Sequence, residues 1–253
     1  MAQPEEQGFL SHLVELRQRL VRAAASVLIV FAALSPFMRQ IFDFLSKPMM
    51  AALPQGTKLL ATGVIAPFMV PLKITLFASL LVALPYVLYQ VWAFVAPGLY
   101  QHEKRLAVPV IVSSVLMFFA GIAYCYFVVF RFVFRFIARF APETVNVSPD
   151  IDAYFSFVLR LFIAFGVTFE VPIAVLLMVR LGMTSVAKLR QARPYVIVGA
   201  FVAAAIFTPP DVLSQLLLAL PLCLLFELGV LLGALFGVGP TTRGESQSGP
   251  AAS

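Results

Sequence analysis

From Lys73 to Glu103, and again from Arg105 to Arg131, no charged side chain interrupts the chain. Apolar runs of this length exceed what a helix in a soluble core needs, and they meet the ~20 residues required to cross about 30 Å of hydrocarbon. Composition agrees. Apolar residues make up 61% of the 253 positions and charged residues only 12%, with a mean hydropathy of +0.97. A soluble domain carries roughly a quarter charged residues. Lipid is therefore the solvent this chain expects, and the expected fold is an all-α integral membrane protein.

The formal net charge is +6 and the isoelectric point about 9.6. The basic residues sit in short patches between apolar runs, which suits anionic head groups and a positive-inside topology better than nucleic acid. Cys125 and Cys223 both lie inside apolar runs and read as small packing residues. Glu5, Glu6, Glu15 and several arginines precede the first apolar run, the wrong order for a cleavable signal peptide, so that run is expected to remain as an anchor.

Residues 8–20 read as an amphipathic helix lying at the membrane surface. Phe9, Leu13, Leu16 and Leu20 share one face, and His12, Glu15 and Arg19 the other. Six spans follow, at about 23–42, 74–96, 107–130, 154–179, 194–207 and 212–233. The fifth covers only about 21 Å at 1.5 Å per residue, so it should thin the bilayer or be shielded by neighbours. Pro85, Pro172 and Pro221 fall within spans and should bend them. No internal repeat is visible, unlike the common inverted-repeat transporters.

With the N-terminus inside, the cytoplasmic loops hold ten lysines and arginines and the outer loops seven, while Arg160 lies within a span and would snorkel outward. Residues 43–73, rich in proline and apolar side chains, are expected to form a folded periplasmic cap. The expected organisation is one membrane domain over 1–238 and a polar, disordered cytoplasmic tail over 239–253.

The sequence has no HExxH, CxxC, GxSxG or phosphate-binding glycine loop, and His12 and His102 lack metal-ligand spacing. No enzyme, metal or cofactor is expected. What remains is a set of polar residues near or inside the spans. Glu15 could pair with Arg19 one helical turn away, and Glu103 could favour the N-terminal dipole of the third span. Glu170, about 15 Å from Arg180 by helical rise, would sit near the midplane. A carboxylate there costs several kcal/mol unless it is protonated, paired or facing water. Gln215 can hydrogen-bond another helix in lipid. Asp211 would cap the sixth span after the rigid Pro209–Pro210 turn.

These segments resemble the TatC family, the signal-reading core of the twin-arginine protein translocase. HLVELRQRL (12–20), TGVIAPFMVPLK (62–73), YQVWAFVAPGLYQHEKR (89–105), FGVTFEVP (165–172) and RPYVIVGAFVAAAIFTPPDVLSQLLLALPLCLLFE (193–227) stand in family order across most of residues 10–230. The resemblance implies six spans, both termini inside, a concave glove-like wall and residence in the bacterial inner membrane. It implies that the chain, with TatB, binds twin-arginine signal peptides of folded cargo. It further implies that TatA then assembles and that the proton-motive force drives transport, with several copies of the chain in one TatBC complex. Family residues that bind the two arginines match Glu15 and Glu103, with Arg17 and Phe94 beside them. The family's midspan glutamate matches Glu170, and its contact with a TatA or TatB helix matches Gln215. Carboxylates suit this work, because arginine presents a planar fork that lysine cannot reproduce.

Arg131, Arg135 and Arg139 form a basic stripe outside the family pattern, and pairing with Glu143, Asp150 and Asp152 or with outer head groups is expected. The alternative function is a proton-coupled secondary transporter or channel using Glu170, which requires further polar residues at similar depth.

Overall fold

The computed structural model describes residues 4–52, 60–95, 104–133, 150–208 and 212–236. Among them nearly every residue is helical. The helices are α1 (Pro4–Leu34), α2 (Met38–Ala52), α3 (Ala66–Val95), α4 (Lys104–Tyr124), α5 (Ile151–Phe169), α6 (Val171–Arg180), α7 (Val186–Gln191), α8 (Arg193–Phe207) and α9 (Val212–Phe236). A π-helical turn, Cys125–Val129, carries α4 onward to residue 133. With no water to bind backbone groups in hydrocarbon, helices satisfy their own N–H and C=O groups. Among the described residues, five helical stretches are long and apolar enough to cross a membrane, and α8 is a shorter apolar helix.

Two boundaries differ from the sequence expectation, for local reasons. The amphipathic segment and the first span form one continuous helix, α1, whose 31 residues extend about 46 Å. No proline or glycine pair separates residues 8–20 from the apolar run, so nothing breaks the helix there. It breaks instead inside the expected first span, at the 3₁₀ turn Ser35–Phe37, where Pro36 cannot donate to the preceding turn. The second span likewise begins earlier than expected, at Ala66. Pro67 stands in its first turn, where a missing N–H is no loss. Pro71 leaves only the Pro67 carbonyl without its helical donor, and Thr75 Oγ1 donates to the Pro71 carbonyl at 2.8 Å.

The helices form an open wall. α1 leans on α3; α3 packs on α4 and α5; α6 runs beside α9; and α8 closes the far edge against α9. Apolar association within lipid gains nothing from leaving water, so close van der Waals packing of small residues must hold the wall together. At the α4–α5 crossing, a Cβ on Gly121 would come within 2.5 Å of the Phe165 carbonyl oxygen. α8 buries only Ala200 and Ala204, which join Leu161, Phe165, Leu218 and Ala219 in the central cluster. At one end, Val70, Ile74, Ile151 and Phe155 form a second core with Ile41, Phe42 and Leu45 from α2 packed against it.

That end is tied to Leu60, Thr62 and Lys73 by polar contacts. Ile151 N–H donates to the Leu60 carbonyl at 2.9 Å. Asp150 caps α5 through Ala153 N–H and also accepts from the Thr62 backbone N–H at 3.1 Å and the Thr62 hydroxyl. Lys73 Nζ reaches Asp152 at 2.7 Å. Asp150 and Asp152 thus both hold the segment around Thr62 and Lys73. Within the arginine stripe Arg131 is exposed, and positions 135 and 139, with Glu143, lie outside the described residues.

Candidate functional site

Glu15 stands on the polar face of α1. Its Oε1 accepts both Nε and Nη2 of Arg19, at 2.8 and 2.6 Å, and Arg19 Nη1 extends to Gln90 Oε1 on α3 at 3.4 Å. The spacing of four residues brings both side chains to one stripe of the helix. One carboxylate oxygen therefore takes both N–H donors of a guanidinium edge. Arg17 is exposed beside a shallow surface formed by Val14, Gln18, Val21 and Arg22. Phe94 is half-buried at the end of α3. Glu103 lies outside the described residues, as do Pro209, Pro210 and Asp211.

Gln90 was not singled out by the sequence, though an uncharged polar residue on an apolar helix is a usable signal. It is buried and links the α1 site to α3.

Glu170 occupies the junction of α5 and α6. It ends one helix and starts the next, with Pro172 in the first turn of α6. Proline supplies no N–H and so loosens the helix at this point. Both carboxylate oxygens are buried and make no hydrogen bond. The Ser114 hydroxyl lies close by; it accepts from Trp92 Nε1 at 2.8 Å and keeps its own O–H to turn toward the carboxylate. A buried polar group left without a partner costs free energy. The Ser114 hydroxyl is thus the described donor nearest this buried carboxyl group.

The register of α9 on α6 places other polar groups near that depth. A Cβ on Gly229 would meet Pro172 Cα at 2.9 Å, and Arg180 Nε donates to the Phe236 carbonyl at 3.1 Å. Glu227 thus lies within about one turn of Glu170 along the wall. It pairs with Arg193 at 2.6 Å, with both side chains about half exposed. The pair escaped sequence reading, although an acid inside the last apolar run was visible.

Gln215 Nε2 donates to the Phe201 carbonyl at 3.1 Å, joining α9 to α8. Its Oε1 meets no partner among the described residues. The structure thus satisfies half of this amide internally. No group of three or more potential metal ligands occurs among the described residues.

This arrangement matches known proteins along most of its length. The family model described as Sec-independent protein translocase protein (TatC) matches residues 11–221. A Sec-independent protein translocase protein TatC from Azotobacter chroococcum is 54% identical over 230 residues, covering 91% of this chain and 90% of the relative. The TatC of Escherichia coli K12 is 50% identical over 230 residues, covering 91% and 89%. A crystal structure of the twin arginine translocase receptor TatC superposes with a TM-score of 0.78 at 36% identity, covering 88% of this chain and 98% of that one. With the sequence motifs, the membrane-length helices and the three-dimensional architecture in agreement, the chain belongs to the TatC family of Sec-independent protein translocases.

Proposed function

We propose that this chain is the receptor core of a twin-arginine translocase in the bacterial inner membrane, reading the paired arginines of signal peptides on folded cargo. It is a multi-pass, non-enzymatic membrane protein. The observation that carries the reading is the guanidinium edge of Arg19 resting on the Glu15 carboxylate. That contact supports a site where an arginine from another chain can replace the resident one. Charge-assisted, two-point contacts of this kind favour arginine over lysine.

In this account Glu15 and Glu103 each take one arginine of the pair, and Arg17 and Phe94 shape the rim beside them. Both termini lie in the cytoplasm, six spans including the short α8 form the wall, and residues 1–238 act as one domain ahead of a disordered tail. The hydrophobic part of the signal peptide enters along the wall toward Glu170, whose buried carboxyl group supplies a polar notch. The free Oε1 of Gln215 meets a helix of TatA or TatB, and the proton-motive force drives transport in an assembly holding several copies of the chain.

The test is export of a twin-arginine reporter together with signal-peptide crosslinking in Glu15→Ala and Glu103→Ala variants that still insert. Loss of both activities in each variant is expected. Normal export and crosslinking in both would remove the assignment.

A further inference from the structure

The span formed by α5 and α6 carries a cation that the translocation site does not use. Arg160 is exposed on α5, about 15 Å along the axis from Asp150. On the same face Ile163 and Val167 are also exposed, so the surface around Arg160 is apolar and lipid-facing. Its Nε donates to the Ser156 carbonyl at 3.1 Å. Ser156 is one turn nearer Asp150, so the side chain folds back toward that end of the wall and the guanidinium is held there.

The terminal nitrogens of Arg160 meet no partner among the described residues. The described carboxylates nearby are already engaged: Asp150 with Thr62 and Ala153, and Asp152 with Lys73. Glu170 lies about 15 Å away in the opposite direction. A guanidinium facing hydrocarbon is costly without an acceptor.

A second observation names that acceptor. α8 has 15 residues, about 22 Å, against roughly 30 Å of hydrocarbon. Leu161, Ala164 and Phe165 of α5 share one buried cluster with Ala200 and Ala204 of α8. Ala204 is one turn from the end of α8 at Thr208. By the register of Gly229 on Pro172 and of Gln215 on Phe201, Arg160 lies beside the half of α8 that ends at Thr208. Its side chain, folded one turn back to Ser156, carries the guanidinium toward that rim, where a bilayer matched to α8 places its head groups.

We propose that Arg160 binds the phosphate of a phospholipid in the leaflet at the Asp150 end of the wall, holding that head group at the rim of α8. The planar fork suits two phosphate oxygens, and the exposed Ile163 and Val167 lie against the acyl chains. The inference rests on the chain spanning a membrane and not on the signal-peptide reading.

The test uses the full chain alone, arginine-labelled with ¹⁵N, in bilayers of phosphatidylethanolamine and phosphatidylglycerol. Solid-state ¹⁵N–³¹P dipolar dephasing is compared between wild type and Arg160→Gln, with Arg160→Lys as a second variant that keeps the charge should the first fail to fold. The wild-type-minus-variant difference is expected to contain one guanidinium signal, dephased by phosphorus. A difference signal without dephasing overturns the proposal. Dephasing that reappears in maltoside micelles with inorganic phosphate assigns a free anion and overturns the head-group identity. A guanidinium that loses its phosphorus dephasing when a single-span partner is added marks a protein carboxylate as its acceptor, and that also overturns it.

Discussion

Adding one methyl group at Gly121 tests how the wall is held together. A Cβ there would lie 2.5 Å from the Phe165 carbonyl oxygen and 2.9 Å from its carbon. The obstacle is backbone, short of ordinary contact by about 0.9 Å, so α4 and α5 must separate and lose dispersion contacts along their crossing. Overpacking of this kind costs about 1–3 kcal/mol. Gly166, across the same crossing, would meet the Phe118 ring at 2.5 Å. That obstacle is the far end of a side chain, which can swing aside about its Cα–Cβ bond, so Gly166→Ala should cost less. Gly199 on α8 has nothing within 4 Å, and alanine there gains helix propensity of about 1 kcal/mol. The assay is thermal stability of the chain alone in nanodiscs, read by the fraction remaining monodisperse after heating. The expected order of stability is Gly199→Ala at or above wild type, then Gly166→Ala, then Gly121→Ala. Equal stability of Gly121→Ala and wild type would refute the close-approach reasoning, as would equal losses at positions 121 and 199.

Four further outcomes are expected. The Thr62 hydroxyl first, with Ala153 and Thr62 N–H groups, pulls the Asp150 carboxyl down to about 2 from its ordinary value of 3.8. Its folded value is depressed, so its stabilisation is complete above pH ~4 and is lost as pH falls toward 2. Melting of wild type in nanodiscs should converge on that of Asp150→Asn across this window, and a constant gap would contradict the cap tie. Trp92 is the single tryptophan, so Ser114→Ala should leave its N–H without an acceptor, blue-shift its fluorescence and cost about 1–3 kcal/mol; unchanged emission would contradict the Trp92–Ser114 bond. Arg19→Gln frees Glu15 from a part-buried pair one helical turn apart, worth about 0.3–0.5 kcal/mol, so signal-peptide affinity measured by titration should rise about twofold; a fall would contradict the stand-in role. Glu170→Ala should lower transport of a twin-arginine reporter while signal-peptide crosslinking at the α1 site persists; unaffected transport would make the residue structural.

The apolar runs made the membrane fold legible, because backbone hydrogen bonding in lipid leaves few alternatives to helices. Helix ends were less legible. The continuity of α1 depends on nothing interrupting residues 20–23, whereas the break at Pro36 lies inside an apolar stretch where hydropathy carries no signal. The Glu15–Arg19 contact followed from spacing alone. By contrast, Asp150 with Thr62 and Glu227 with Arg193 join residues 88 and 34 positions apart, and local spacing does not encode such separations. The depth of Glu227 relative to Glu170 emerged only from the close approach of Gly229 to Pro172. Ser114 and Gln90 were visible as polar residues in apolar helices, but their partners depend on how α1, α3 and α4 pack.

The most direct measurement places a photo-activated crosslinker beside the arginine pair of a signal peptide and maps its adducts on this chain in membranes. Adducts clustered around positions 15 and 103, lost when the paired arginines become lysines, are expected. Adducts confined to the cap around Thr62, or an undiminished yield with the lysine pair, would contradict carboxylate recognition of the two guanidinium groups.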